Sequence, residues 1–336
     1  MASPRYSQID IEATPYYHCI SRCVRRAFLC GQDEVSGRSF DHRKGWVAER
    51  VAWLASVFAI RVCAYAILSN HFHLVLRIDS EMARAWDDDT VVRRYKQLFR
   101  SIEDPRKQLS PARAAARIHC WRARLADLSW FMRCLNEAVA RRANAEDGCT
   151  GRFWEGRFRS QALLDEAGLL TCMSYVDLNP MRAGIARSLE ESEFTSIRQR
   201  IAQHAEEIAD RSPVHGPRGR TSSNSLPDLV PFADAEPAPS AETLPLVLSD
   251  YVDLLRATGT AVGALEPTAS LPRAAARTLD RAGIAPEHWL ETVRFYHRQF
   301  FTMVGCVHAI DVYCGRTDRS RAKGRRWAAR AFRATA

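Results

Sequence analysis

The sequence predicts an α+β protein: a ferredoxin-like antiparallel sheet with helices on one face, followed by a C-terminal helical domain. Three observations lead there. Apolar and β-branched runs suited to strands occur at 16–24, 61–68, 71–77 and 157–163. Stretches of helical periodicity separate them, and the resulting order is β-α-β-β-α-β-α.

The first strand is "YYHCISRCV" (16–24), and within 41–60 the residues Trp46, Val47, Val51, Leu54 and Phe58 recur at helical spacing. "RVCAYAILSN" then leads through a Ser69-Asn70 turn into "HFHLVLR", a hairpin. "DSEMARAWDDD" (79–89) is acidic and aperiodic and is expected to be a loop. Helices follow near 90–104 and 110–145, the second striped by Trp130, Phe131, Cys134, Leu135 and Val139. "GRFWEGRFRSQALL" enters the fourth strand. "DEAGLLTCMSYVDLN" (165–179) is a helix capped by Asp165 and stopped before Pro180.

These elements make residues 1–200 one unit with a helical insertion at about 79–150. Seven of the chain's 15 prolines fall between 212 and 247, so 201–247 reads as a Pro-rich linker. Residues 248–336 read as three helices and a basic tail, with Trp289, Val293, Tyr296, Phe300 and Met303 as the buried stripe of the last helix.

A chain of 336 residues, 46% hydrophobic, can bury a sizeable core. No run approaches the ~20 apolar residues of a membrane helix, and the start is not that of a signal peptide, so no membrane association and a cytoplasmic location are expected. The ten cysteines are scattered without a Cys-x-x-Cys, which argues against structural zinc and a disulfide framework. Of the net charge of +9, seven units lie in the tail 316–336. Together with "VVRRYKQLFR", "PARAAARIHCWRARL" and "GRFWEGRFRS", where arginines alternate with aromatics, this points to a polyanionic partner. The tail itself has two readings: a clamp on DNA phosphates, or a helix packed through Trp327 and Phe332.

In an extended chain His71, His73, Val75 and Arg77 share one face. That face is expected to be open to solvent, where two parallel imidazoles could chelate one metal ion. Tyr175 and Asn179 lie one helical turn apart, so a tyrosine hydroxyl able to attack a phosphodiester sits near an amide oxygen able to act as third ligand.

In this order "YYHCISRCVRRAFLC", "AYAILSNHFHLVLR", "GRFWEGRFRS" and "YVDLNPMRAGI" resemble the HUH single-tyrosine transposases (IS200-like), in the REP-associated tyrosine transposase branch, over about residues 12–200. The resemblance implies the HUH endonuclease core, with His71, His73 and Asn179 on a catalytic Mg²⁺ or Mn²⁺ and Tyr175 as the nucleophile. It further implies nicking and rejoining of single-stranded or hairpin DNA through a 5′-phosphotyrosine, a nucleoid-associated location and a possible homodimer. Arg77, Arg152, Phe153, Trp154, Arg157, Arg159 and Arg182 are the candidate DNA contacts. The long 79–150 segment and the extension beyond residue 200 depart from compact members, and with them the dimer and its helix exchange come into question. Two other readings stay open. A nucleotide hydrolase of the histidine-triad type would need a third alternating histidine, where this chain has Val75. A domesticated, non-catalytic protein could recognise repeat hairpins without cutting them.

Overall fold

The computed structural model describes residues 8–24, 29–31, 37–210, 226–233, 242–263, 271–319 and 322–333. In chain order the elements are β1 (Tyr16–Arg22), α1 (His42–Val57), β2 (Ile60–Ile67), β3 (His71–Ile78), α2 (Ser80–Ala85), α3 (Asp88–Leu98), α4 (Pro111–Leu125) and α5 (Leu128–Glu146). β4 (Arg159–Leu163), α6 (Glu166–Asp177) and the single turn α7 (Asn179–Arg182) follow. Beyond them come α8 (Ser196–Asp210), β5 (Phe232–Ala233), β6 (Leu244–Val247), α9 (Leu248–Gly263), α10 (Arg273–Arg281), α11 (Pro286–Gln299), β7 (Met303–Val304), α12 (Val307–Arg316) and α13 (Arg325–Ala331).

Five strands form one sheet in the order β2-β3-β1-β4-β7, antiparallel except where β7 runs parallel to β4. The Ser69-Asn70 turn closes the β2–β3 hairpin, with Leu68 N–H donating to the His71 carbonyl at 2.9 Å. Register decides which side chains meet, because paired residues point to the same face. His18 pairs with Val75, Ile20 with His73 and Arg22 with His71. On the other side of β1, His18 pairs with Gln161 and Ile20 with Arg159.

Helices cover both faces of this sheet, where the sequence led us to expect one. α6 lies over the histidine face, with the Tyr175 ring 5.6 Å from that of His73. Tyr17, Cys19, Phe72, Leu74 and Leu76 are buried on the other face, where α5 closes in and Asn136 Nδ2 donates to Ser21 Oγ at 3.0 Å. The physical reason is visible in β2 and β3, whose nearly continuous apolar runs require cover on both sides.

Other expectations change as well. The acids of 79–89 cap helices instead of lining a loop: Asp79 accepts from Met82 N–H and Asp87 from Thr90 N–H. Asp127 likewise starts a second helix inside 110–145, accepting from Trp130 N–H. Within the expected 201–247 linker, α8 runs to Asp210 and the parallel β5–β6 pair forms; residues 211–225 and 234–241 lie outside the described residues.

Residues 248–336, expected as a domain of their own, pack on the sheet and supply its edge strand β7. The tail adopts the packed-helix arrangement. Ala328, Ala331 and Phe332 are buried, with Phe332 stacked on Phe300 at 5.7 Å. Four of its arginines meet carboxylates: Arg316 pairs with Asp10 and Glu12, Arg325 with Asp311, Arg330 with Glu291 and Arg333 with Asp280.

α6 is held in place by the buried Asp177. Its Oδ1 accepts from Ser196 Oγ at 2.5 Å and Ile197 N–H at 3.0 Å, and its Oδ2 accepts from Tyr251 O–H at 2.7 Å, tying α6 to α8 and α9. Burial pushes this carboxyl up to about 6 despite those bonds. Among the described residues no helix is long and apolar enough to cross a membrane.

Candidate active site

The site is a chain of polar side chains between sheet and helices. Tyr296 O–H, from α11, donates to Gln161 Oε1 at 2.5 Å. His18 Nδ1 lies 3.0 Å from the same oxygen, His18 Nε2 lies 2.9 Å from His73 Nδ1, and His73 Nε2 lies 3.2 Å from Asn179 Nδ2. An amide oxygen only accepts, so the network assigns the His18 proton to Nδ1. His18 Nε2 then accepts from His73 Nδ1–H, and the His73 Nε2 lone pair receives the Asn179 amide. His71 is oriented in the same way, its Nδ1 donating to Asn70 Oδ1 at 2.5 Å. Both imidazoles of the pair thus hold their proton on Nδ1, and their rings lie 4.9 Å apart.

Burial pushes the imidazoles of His18 and His71 down to about 4, Arg22 adding to the effect at His71. His73 is held well below its ordinary value, first by burial and then by the neighbouring histidines and Arg182. All three are neutral at pH 7, the form that a metal ligand requires.

Tyr175 joins this chain through its ring. It stacks on Tyr296 with centroids 4.5 Å apart and planes at 24°, and it meets His73 edge-on. The Arg182 guanidinium sits over its face at 4.6 Å and donates to the Arg294 carbonyl at 2.9 Å. Four residues picked from the sequence, His71, His73, Tyr175 and Asn179, therefore meet in space. The openness expected of the strand face does not hold: His73 is 2% exposed, Tyr175 6% and Asn179 7%. α6 and Tyr296 cover the middle of that face, and of these four residues His71, paired across the sheet with the exposed Arg22, reaches its edge.

As to a metal, no group of three or more His, Cys, Asp and Glu able to hold one occurs among the described residues. The donor set is instead two neutral imidazoles and one carboxamide, whose amide already lies 3.2 Å from His73 Nε2. Imidazole nitrogen suits borderline ions such as Zn²⁺, Fe²⁺ or Ni²⁺ and a carboxamide oxygen suits Mg²⁺ or Mn²⁺, so the donor set is mixed.

The candidate DNA contacts divide. Arg182 is at the site, and Arg159 is exposed on the histidine face, across β1 from His73. Arg157 is exposed on the loop before β4. Arg77 lies at the opposite end of β3 from His71, 6.0 Å from the Tyr16 ring. Arg152 is spent on its own loop, donating to the carbonyls of Trp154 and Glu155. Phe153 and Trp154 are core residues behind the sheet: Trp154 packs edge-on against Phe72 at 5.6 Å and donates to the Asn136 carbonyl at 2.9 Å. Neither ring is available to stack on a base.

Sequence reasoning missed His18, Gln161 and Tyr296. His18 alternates with Ile20 and Arg22 along β1, and only the register of β1 against β3 puts that face beside the two histidines.

No family model matches the chain and no curated protein matches it. Among solved structures it is similar to a REP-associated tyrosine transposase bound to a REP hairpin, at 11% sequence identity and a TM-score of 0.37, over 68% of this chain and 99% of that one.

Proposed function

We propose that this protein is a metal-dependent DNA nicking and rejoining enzyme of the single-tyrosine transposase kind, acting on single-stranded hairpin or repeat DNA. Its sheet order is read as ferredoxin-like, with Tyr175 as nucleophile and His71, His73 and Asn179 as metal ligands. The observation that carries this reading is the convergence of Tyr175 and Asn179 on the two histidines, Asn179 and His73 being 106 positions apart in the chain.

Tyr175 Oη attacks the phosphorus; an O–P bond forms as the P–O3′ bond breaks. The phenolic proton is balanced by the proton gained on the departing oxygen, leaving a 5′-phosphotyrosine and a free 3′ hydroxyl. Because the phosphodiester energy is retained, a second 3′ hydroxyl reverses the step without ATP. A bound Mg²⁺ or Mn²⁺ would neutralise phosphate charge and polarise the P–O bond. Arg182 and Tyr296 fix the Tyr175 ring from its two sides, and the Gln161–His18 pair fixes His73 so that Nε2 faces Asn179.

Incubation with single-stranded hairpin DNA and Mn²⁺, followed by a denaturing gel, tests this. A covalent adduct is expected from the native chain and none from Tyr175→Phe, with hairpin affinity retained within a few-fold. An adduct from the Phe variant, or one that persists in EDTA, would overturn the assignment. Hairpin binding with no adduct under any condition would instead support the non-catalytic reading, which the burial of Tyr175 favours.

A further inference from the structure

We infer that the outer side of α11 is a phosphate-and-base platform that carries a single DNA strand to Tyr175, an inference that rests on the reading above. α11 has two sides. Inward, Tyr296 stacks on the nucleophile. Outward, Arg294, His297 and Arg298 are exposed, and the guanidinium groups of Arg294 and Arg298 lie 5.6 and 5.8 Å from the ring of Phe295 between them. The helix is kinked at Phe295, whose φ of −109° and ψ of 15° are non-helical. Arg182 links platform to nucleophile, with its guanidinium over the Tyr175 ring and bonded to the Arg294 carbonyl.

Two features identify the partner. Among the described residues no carboxylate pairs with Arg182, Arg294 or Arg298, which sit together beside Tyr175 and Phe295, whereas Arg106 with Asp104, Arg256 with Glu190 and Arg281 with Asp250 are neutralised. Like charges left together on a surface suit a polyanion. A partly exposed ring flanked by guanidinium groups adds a base-stacking element that a double helix would not reach, so a single strand is the partner.

The test measures binding of a labelled single-stranded oligonucleotide over a range of salt, in a Tyr175→Phe background without metal, so that cleavage plays no part. Arg294→Gln with Arg298→Gln should lower the slope of log affinity against log salt by roughly 1.4, two single-strand phosphate contacts at about 0.7 each. Arg256→Gln with Arg281→Gln, which removes the same charge from paired sites, should leave the slope as it is. Phe295→Leu should weaken single-strand binding several-fold with the slope unchanged, because stacking releases no counterions. Equal slopes in the native and Arg294/Arg298 proteins, an equal loss in the control pair, or no single-strand binding by the native chain would each overturn the platform. Loss of the adduct in native protein with the slope effect intact would count against the nuclease reading alone.

Discussion

Two arginine-rich regions, the tail and the site formed by α11 and α7, differ in what their charges meet. In the tail, Arg316, Arg325, Arg330 and Arg333 lie against carboxylates, and Lys323 and Arg326 have none among the described residues. On α11 and α7, less than 40 residues earlier or beside the nucleophile, Arg294, Arg298 and Arg182 have none among the described residues. Counting charge along the chain places the polyanion site at the tail, where seven of the nine net charges lie. Pairing places it at the covered site instead. A cation already neutralised gains little from a phosphate, because exchanging one partner for another releases few ions. On the proposed reading, net charge points to a polyanion as the partner, and pairing to where it would bind.

The comparison also separates a site sensitive to single changes from a tail that is not. The largest effect is expected at His73. His73→Ala leaves His18 Nε2 and the Asn179 amide without their partner in a place only 2% exposed, and opens a cavity. A loss of about 2–4 kcal/mol is expected. His71→Ala, at the half-buried edge, should cost under about 1 kcal/mol while abolishing the adduct just as fully. Urea denaturation of both variants checks this. Equal midpoints would mean that the buried His73 contributes no more to folding than the half-buried His71.

A smaller effect follows from pH. Burial lowers the His18 imidazole to about 4 in the folded chain, against about 6.5 when unfolded. Between those values the unfolded chain binds more protons, so this stability is present above pH 6.5 and is lost as pH falls through 4. Asp177 acts in the opposite sense: its carboxyl, raised to about 6, favours the folded state at low pH and loses that contribution as pH rises through 6. Comparing native protein with His18→Gln isolates the histidine, since Asp177 is common to both. The native chain should lose about 2 kcal/mol more than the variant between pH 7 and 5. Parallel stability curves would show that His18 is not held neutral in the fold.

The sequence made the hairpin legible because alternation and a Ser-Asn turn are local signals. It made the pairing of Tyr175 with Asn179 legible because one helical turn relates them. His18 was illegible as a partner of His73, because they are 55 positions apart and only the placing of β1 beside β3 brings them together. Tyr296 lies 135 positions from Gln161 and sat in an apolar stripe that promised only core. The acids of 79–89 misled because residues that cap helices have the composition of loops. Phe153 and Trp154 misled for a related reason: arginines interleaved with aromatics look alike whether the rings face a base or, as here, Phe72.

The smallest expected effect is at the tail, and it decides whether pairing or charge count governs binding. Arg325 is held by Asp311 at 2.7 Å and Arg330 by Glu291 at 3.1 Å, both at the surface. Deleting the tail would confuse the question, since it would also strip Phe332 from Phe300 and expose the α13 packing. Arg325→Gln with Arg330→Gln removes two charges and leaves Ala328, Ala331 and Phe332 in place. If pairing governs, this variant binds the single-stranded oligonucleotide with the native salt slope, any change in affinity being a small long-range effect that vanishes within a Debye length of about 10 Å at 0.1 M salt. If charge count governs, the slope falls by roughly 1.4, as expected for the same number of charges removed from α11. Equal slope losses at both places would erase the distinction between the two regions. A loss at α11 with none at the tail would fix the strand's path across the face of the protein that holds Tyr175.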